Sequence, residues 1–174
     1  MGSLVAKQKA IIQESDVLLV LDKSGSMDKY KLIWSRAIAL ALLKKAKARK
    51  QKFFLEFFDS KPYDVIVDRN NIIYNILTVK ESGGTDIKLA LEKAMKFLQS
   101  YKKPLTIVLI TDAESSSFDI EPIRRTLKRF NSYLIFILVG SRHAEIFELL
   151  KQLATKSMAV EPSEESAELI LREV

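Results

Sequence analysis

The stretch that decides the fold is Asp16-Val-Leu-Leu-Val-Leu-Asp-Lys-Ser-Gly-Ser-Met27. Its first half is a short apolar run of leucine and β-branched residues, which is typical of a buried strand. The run stops at a polar turn that carries the carboxyl group of Asp22 and the hydroxyls of Ser24 and Ser26. Because Gly25 lets the backbone fold tightly, these oxygens can point at one locus, and clustered hard oxygens suit a hard cation such as Mg²⁺.

Simpler interpretations compete with a metal site in this turn. Asp and Ser are common turn and helix-capping residues, so the turn alone indicates a cap more often than a metal site. A calcium loop of the EF-hand type needs glycine at its sixth position and glutamate at its twelfth, where this chain has Met27 and Ile33. The glycine-rich signatures of phosphate-binding loops do not occur in the sequence. A metal site therefore needs further oxygen ligands from elsewhere in the chain.

Strand-like and helix-like segments alternate along the chain. The apolar patterns predict strands over 16–21, 53–58, 63–67, 105–110, 133–139 and 157–160, and helices over 30–49, 70–77, 87–98, 122–130, 143–154 and 163–173. The segment 63–67 follows a turn that contains Pro62, and we expect it to be an antiparallel edge strand. The alternation predicts an α/β fold, a doubly wound and mostly parallel sheet with helices on both faces.

Size and composition favour one globular domain over residues 1–174, with 1–14 as a lead-in arm. Met1-Gly2-Ser3 resembles a leftover of expression cloning. With 48% hydrophobic residues the chain can bury a substantial core. It contains no cysteine and no apolar run near the roughly 20 residues that cross a bilayer. We therefore expect a cytoplasmic protein that does not engage a membrane and is a monomer on its own. The net charge of +6 favours acidic partners in general but decides little.

A second core strand, 105–110, also ends in an acid, in the turn Thr111-Asp112. Ligands of doubly wound sheets bind beyond the carboxyl ends of the strands, where neighbouring strands send their crossovers to opposite faces. The loop Gly83-Gly84-Thr85 precedes a predicted helix and can close over the same edge. We therefore expect five oxygen ligands to converge, from Asp22, Ser24, Ser26, Thr85 and Asp112.

Three elements in order resemble the metal-ion-dependent adhesion site (MIDAS) of von Willebrand factor type A domains. They are Asp22-x-Ser24-x-Ser26, Gly84-Thr85-Asp86 and Thr111-Asp112. The resemblance covers the chain from about residue 14 to the end. It implies a six-stranded sheet in the order 3-2-1-4-5-6, with strand 3 antiparallel. It also implies a complete MIDAS, in which Asp22, both serines and Thr85 bind Mg²⁺ or Mn²⁺ while Asp112 acts through water.

The same resemblance implies a binding module rather than an enzyme. In such domains the cation accepts a carboxylate from an Asp or Glu of a partner protein. Compact members of the family work beside AAA+ ATPases or in assembly complexes, which makes an AAA+ ATPase the partner that this analogy suggests. The bound cation would give orientation and specificity, while the surrounding loops would supply the rest of the affinity.

Several residues near these motifs have open roles. Ala113 stands where many relatives have glycine. Lys23 places a cation beside the metal loop, where it weakens metal binding, helps to hold an anion or, as we expect, turns to solvent. Asp86 and Glu114 are either further acceptors or a helix cap and a surface residue. His143 has no partner in sequence and is expected to be structural.

Two other functions are alternatives to a metal-dependent binding module. The segment 44–52 has six basic residues in nine and makes nucleic-acid binding, of RNA above all, the alternative function. Most such runs are solvated helix ends, and no exposed aromatic platform accompanies this one, so nucleic acid is not favoured. A Mg²⁺-dependent phosphatase with Asp22 as nucleophile would need a second acid-base group beside Asp22, and this turn has hydroxyl groups at those positions instead. We therefore expect no enzyme activity.

Overall fold

The computed structural model describes residues 4–7, 14–113, 115–140 and 144–174. Met1-Gly2-Ser3, Glu114 and His143 lie outside these ranges, as does most of the lead-in arm. The interpretations given for them therefore stay predictions.

Within the described residues, five strands form one sheet. They are β1 (Asp16–Asp22), β2 (Phe53–Phe58), β3 (Leu105–Thr111), β4 (Tyr133–Val139) and β5 (Lys156–Val160). All neighbours pair in parallel, in the order β2-β1-β3-β4-β5. This is the predicted order with the antiparallel strand left out.

The prediction of a sixth, antiparallel strand is wrong for the described part of the chain. The chain after β2 turns back and meets it through two isolated antiparallel bridges, between Phe58 and Pro62 and between Leu55 and Ile66, of which only the second lies in the segment 63–67. The Phe58–Pro62 bridge is made by the N–H groups of Asp59 and Tyr63, and the Leu55–Ile66 bridge is out of register with it by one residue, so no continuous ladder forms. The predicted antiparallel pairing of this segment with β2 is present at Ile66, but it is too short to make a strand.

The helices lie close to their predicted bounds. They are α1 (Lys29–Ala48), α2 (Arg69–Thr78), α3 (Ile87–Tyr101), α4 (Glu121–Arg129), α5 (Ala144–Leu153) and α6 (Glu164–Glu173). A short 3₁₀ turn, Gly25–Met27, precedes α1. Among the described residues, no helix combines the length and the apolar character that a membrane crossing requires.

Two apolar layers cover the sheet, because successive side chains of a strand point to opposite faces. Leu18 and Val20 of β1 pack in the layer that holds α3, α4 and α5. Leu19 and Leu21 pack in the layer that holds α1, α2 and α6. The helix after β1 and the helix after β3 therefore lie on opposite faces of neighbouring strands. The carboxyl ends of β1 and β3 form the switch point of the sheet, and Asp22 and Asp112 lie there, as the sequence predicts.

Candidate metal site at the carboxyl ends of the central strands

Two loops are joined above the end of β1. The N–H of Gly25 donates to the carbonyl of Gly83 at 2.9 Å, and the N–H of Ser82 donates to the carbonyl of Lys23 at 2.8 Å. Gly83 has a positive φ of 75°, and a Cβ there would lie 3.3 Å from Cγ of Asp59. Glycine therefore allows both the turn and the close approach of this loop to its neighbours.

Asp22 is fully buried and accepts hydrogen bonds only from uncharged groups. Its Oδ1 accepts from the N–H of Ser24 at 2.8 Å, and its Oδ2 accepts from the hydroxyl of Thr111 at 2.5 Å. Burial raises the pKa of Asp22 to about 6, although the hydrogen bonds from Ser24 and Thr111 act in the opposite direction. No cation among the described residues is paired with this carboxyl group.

The remaining oxygens form a chain that runs from β1 to β3. The Oγ atoms of Ser24 and Ser26 are 3.0 Å apart, and the hydroxyl of Ser26 donates to Oδ1 of Asp112 at 3.0 Å. Ser24 and Asp112 are buried, while Ser26 is partly exposed. The structure thus brings four of the five predicted ligands into one network.

Thr85 is the predicted ligand that this network does not reach. Its loop is bonded to the metal loop, but its hydroxyl makes no hydrogen bond to the other four side chains among the described residues. The described residues also contain no group of three or more His, Asp or Glu side chains that could hold a metal. A complete MIDAS is therefore not shown.

The donor set nevertheless fits a small hard cation. Octahedral Mg²⁺ with oxygens at about 2.0–2.1 Å places adjacent ligands about 3 Å apart. The two observed separations of 3.0 Å, from Ser24 to Ser26 and from Ser26 to Asp112, match that spacing. Hydroxyl and carboxylate oxygens are also the ligand types that such cations prefer.

Sequence reasoning missed a lysine that enters the site. Lys31 lies in the first turn of α1, and its Nζ is 3.2 Å from Oδ2 of Asp112 and donates to the carbonyl of Ser26 at 3.0 Å. Its side chain is 24% exposed. The spacing of five residues from Ser26 was visible, but the sequence does not show that the side chain turns back toward β3.

Lys23 belongs to a second polar group, and the expectation that it turns to solvent is wrong. Its Nζ donates to Oδ2 of Asp59 at 2.7 Å and to the hydroxyl of Ser82 at 2.6 Å, and the side chain is 12% exposed. The Tyr63 hydroxyl also donates to Asp59, at 2.8 Å. Burial alone would raise the pKa of Asp59, but these hydrogen bonds from Lys23 and Tyr63 lower it to about 2.

The neighbouring positions have structural roles. Oδ1 of Asp86 accepts from the N–H of Leu89 at 3.0 Å, so Asp86 caps α3, one of its two predicted roles. Ala113 is buried and has a φ of 60°, in the left-handed region that favours glycine. That conformation agrees with the glycine that the resemblance implies at this position.

The basic segment 44–52 lies at the amino end of β2, at the opposite edge of the sheet. Lys47, Lys50, Lys52 and Arg69 line a groove of about 560 Å³ there. Other cations of the segment serve the fold, since Lys45 donates to the carbonyl of Leu171 and Arg49 to that of Val174. Phe53 is buried and offers no exposed stacking platform, and nothing in the structure or the comparisons supports RNA binding.

Comparison with known proteins places this geometry in a family. The sequence profile of the von Willebrand factor type A domain matches residues 17–114, which is more than half of the chain. An uncharacterized protein of Methanocaldococcus jannaschii is 25% identical over 153 residues, which cover 83% of this chain and 35% of that protein. The chain spans only 14% to 35% of the curated relatives that it matches.

Solved structures show the same fold at low sequence identity. An aerotolerance-related membrane protein from Bacteroides fragilis superposes with a TM-score of 0.70 at 17% identity, over 91% of this chain and 98% of that one. A von Willebrand factor type A protein from Catenulispora acidiphila has a TM-score of 0.67 at 14% identity, over 92% of this chain and 41% of that one. From the profile match and the arrangement of β1, β3 and their acidic turns, the chain belongs to the von Willebrand factor type A domain family.

Proposed function

We propose that this domain binds an acidic side chain of a partner protein through a Mg²⁺ or Mn²⁺ ion. The ion would be held by Asp22, Ser24, Ser26, Thr85 and Asp112. The observation that carries the proposal is the oxygen network that joins Ser24 and Ser26 to Asp112 across neighbouring strand ends, with spacings of 3.0 Å. Domains of this family are commonly protein-interaction modules, and membership of the family supports that general function.

The ligand types favour binding of an external carboxylate. Most of the five donors are neutral hydroxyls, so a cation held here would keep positive charge for an acidic group of the partner. Asp22 is held by Ser24 and Thr111 in a fixed orientation, which prepares the site before any ligand arrives. The partly exposed Ser26 marks the side from which the site is reached.

The same residues favour binding over catalysis. Asp22 is fully buried, and its direct partners are a backbone N–H and a hydroxyl rather than a second carboxyl group or a histidine. A phosphatase would need an acid-base group beside its nucleophile. We therefore propose a binding module without enzyme activity.

The wider setting is part of the proposal. We propose a cytoplasmic domain that is a monomer on its own and that meets an AAA+ ATPase or another member of an assembly complex. The cysteine-free composition and the family analogy support this setting.

Titration calorimetry with Mg²⁺ and Mn²⁺ tests the metal part of the proposal. The unmodified domain should bind one ion, and Asp22→Ala should bind none while it keeps its circular dichroism spectrum. Lys44→Ala should bind like the unmodified domain, because Lys44 is exposed on α1 at the far edge of the sheet.

Immobilised peptides test the ligand part. Peptides that carry one Asp or Glu should retain the domain in Mg²⁺ and release it in EDTA, while matched Asn or Gln peptides should not retain it. Peptide binding that is equal in EDTA, or equal for Asp22→Ala, would contradict a metal-bridged contact.

A further inference from the structure

The side chain of Lys31 makes its polar contacts outside its own helix. Its ammonium group contacts Oδ2 of Asp112 at 3.2 Å and the carbonyl of Ser26 at 3.0 Å, so it touches two residues of the proposed metal site. Both contacts reach outside α1, to the metal loop and to the end of β3. The lysine of the neighbouring polar group, Lys23, is instead bound by Asp59 and Ser82.

The end of β4 leaves room for this lysine. Gly140 follows β4, has a φ of 88°, and lies so close that a Cβ there would be 3.3 Å from Cε of Lys31 and 3.8 Å from its Nζ. Any side chain at this position would press on the lysine and would also be strained. The stem of Lys31 is thus packed between α1 and β4, with three quarters of the side chain removed from solvent.

We propose that Lys31 is a built-in counter-cation of the metal site, which lowers metal affinity until an acidic group of the partner arrives. The inference rests on the proposed function and names its regulation. Lys31 neutralises Asp112 in the metal-free protein, so a divalent ion meets one unpaired carboxylate, Asp22, instead of two.

Charge balance gives the direction of the effect. Asp22 and Asp112 contribute two negative charges and Lys31 one positive charge, so the three side chains together carry a net charge of −1. A divalent ion would bring this set to +1, and one carboxylate from outside would bring it to zero. Without the lysine charge, the two carboxylates alone would balance the ion. Lys31 therefore makes occupancy of the site by a divalent ion depend on an external anion. The dependence is strong because charges a few ångströms apart in a partly buried site interact strongly.

The test measures metal affinity directly, with Mn²⁺ by electron paramagnetic resonance and Mg²⁺ by calorimetry, in the absence of any partner. Lys31→Met keeps the length of the stem and removes the charge, and it should lower the Kd for Mn²⁺ by at least about fivefold, the lower end of typical coupling between linked sites. Lys29→Met is the matched control, because Lys29 lies in the same helical turn, is exposed and carries the same charge. Lys29→Met and Lys31→Arg should both bind Mn²⁺ like the unmodified domain.

Acetate serves as the probe for the external anion. Replacing chloride by acetate at constant ionic strength should tighten Mn²⁺ binding to the unmodified domain more than to Lys31→Met. Thermal melts show whether each variant retains the fold. Lys31→Gln is a second variant that removes the charge, in case Lys31→Met does not fold.

The outcomes separate this inference from the proposed function. Tighter binding in Lys31→Met and Lys31→Gln supports the inference, and so does binding that is measurable only in these variants. Equal affinities of Lys31→Met and the unmodified domain, with binding lost in Asp22→Ala, would overturn the role of Lys31 and leave the metal site standing. No Mn²⁺ binding in any of these proteins would overturn both.

Discussion

Asp22 and Asp59 lie at the same edge of the sheet, the first at the end of β1 and the second just after the neighbouring strand β2, and both are buried. Asp59 receives hydrogen bonds from Lys23 and Tyr63, and its pKa falls to about 2 although burial acts in the opposite direction. Asp22 receives hydrogen bonds only from uncharged groups, and burial raises its pKa to about 6. The difference lies in the partner charge, since Lys23 neutralises Asp59 while Asp22 has no charged partner among the described residues. Asp59 therefore acts as a structural residue, and the proposed metal site assigns the counter-charge of Asp22 to an external cation.

The largest expected effect is that of Asp59→Asn. The variant leaves the largely buried ammonium of Lys23 without its counter-charge, and breaking a buried ion pair from one side costs about 3 kcal/mol or more of unfolding free energy. Urea unfolding at pH 7 measures the loss. Asp64→Asn is the matched control, because the Asp64 side chain pairs with Lys93 but is 97% exposed. It should leave the stability unchanged.

The same comparison gives a dependence on pH. Because the pKa of Asp59 falls from 3.8 to about 2 on folding, its stabilisation is complete above pH 4 and is lost as the pH falls toward 2. Asp59→Asn should lack this part of the acid transition. An unchanged acid transition would contradict the ion-pair role of Asp59.

Glu56 extends the comparison to a carboxyl group that has no hydrogen-bond partner among the described residues. It is buried in β2 beside Phe54 and Phe58, and neither of its oxygens has a hydrogen-bond partner among the described residues. Burial raises its pKa to about 9, with a small opposing effect of Lys93. The folded protein therefore holds a proton that the unfolded chain releases near pH 4.5, and stability should fall as the pH rises from 4.5 to about 9.

Glu56→Gln should remove this loss. The variant is expected to be more stable than the unmodified domain by about 3 kcal/mol at pH 7 and nearly equal to it at pH 4.5. Urea unfolding at several pH values measures the difference. A stability difference that does not change with pH would show that Glu56 is ionised and compensated in the folded protein.

Tyr63→Phe removes one of the hydrogen bonds to Asp59 and retains the ring beside Lys23. Loss of a hydrogen bond to a charged group should cost about 1.5 kcal/mol of unfolding free energy. The pKa of Asp59, followed by NMR titration, should rise from its low value while staying below that of a free aspartate, because Lys23 still donates to it. An unchanged pKa would mean that Lys23 alone sets the charge of Asp59.

The smallest effect is expected for Asp22→Asn, and its sign is opposite. In EDTA at pH 7, removal of the buried charge should stabilise the fold by about 3 kcal/mol. The amide cannot accept both hydrogen bonds that Asp22 accepts from Ser24 and Thr111, which costs about 2 kcal/mol, so the net gain should be about 1 kcal/mol. Unfolding in urea measures this, with Asp59→Asn as the comparison of opposite sign. A loss of about 2 kcal/mol or more would show that the charge of Asp22 is already used by the fold.

The sequence predicted the parts of the site that depend on neighbouring residues. The turn after β1 and the strand that ends at Thr111 are encoded within a few residues each, by apolar periodicity and by turn chemistry, whereas the sequence left the role of Asp86 open between a cap and a further acceptor. The meeting of Asp22 and Asp112 followed from a topological rule, because neighbouring parallel strands end at one edge of the sheet. The prediction of a sixth strand, which rests on the same periodicity, is wrong, since periodicity does not show where the register between two segments shifts by one residue.

The sequence by itself determined the family, the alternation of strands and helices, and the loops that carry the candidate ligands. Only the tertiary structure decided which charges are paired. Lys31 and Asp112 are 81 positions apart, and Lys23 and Asp59 are 36 apart, yet each pair is in contact. Such contacts depend on the direction of a long side chain after the sheet and helices have packed. Local sequence patterns do not predict where such a side chain points, because its direction is selected by desolvation and by charges that come together only in the folded protein.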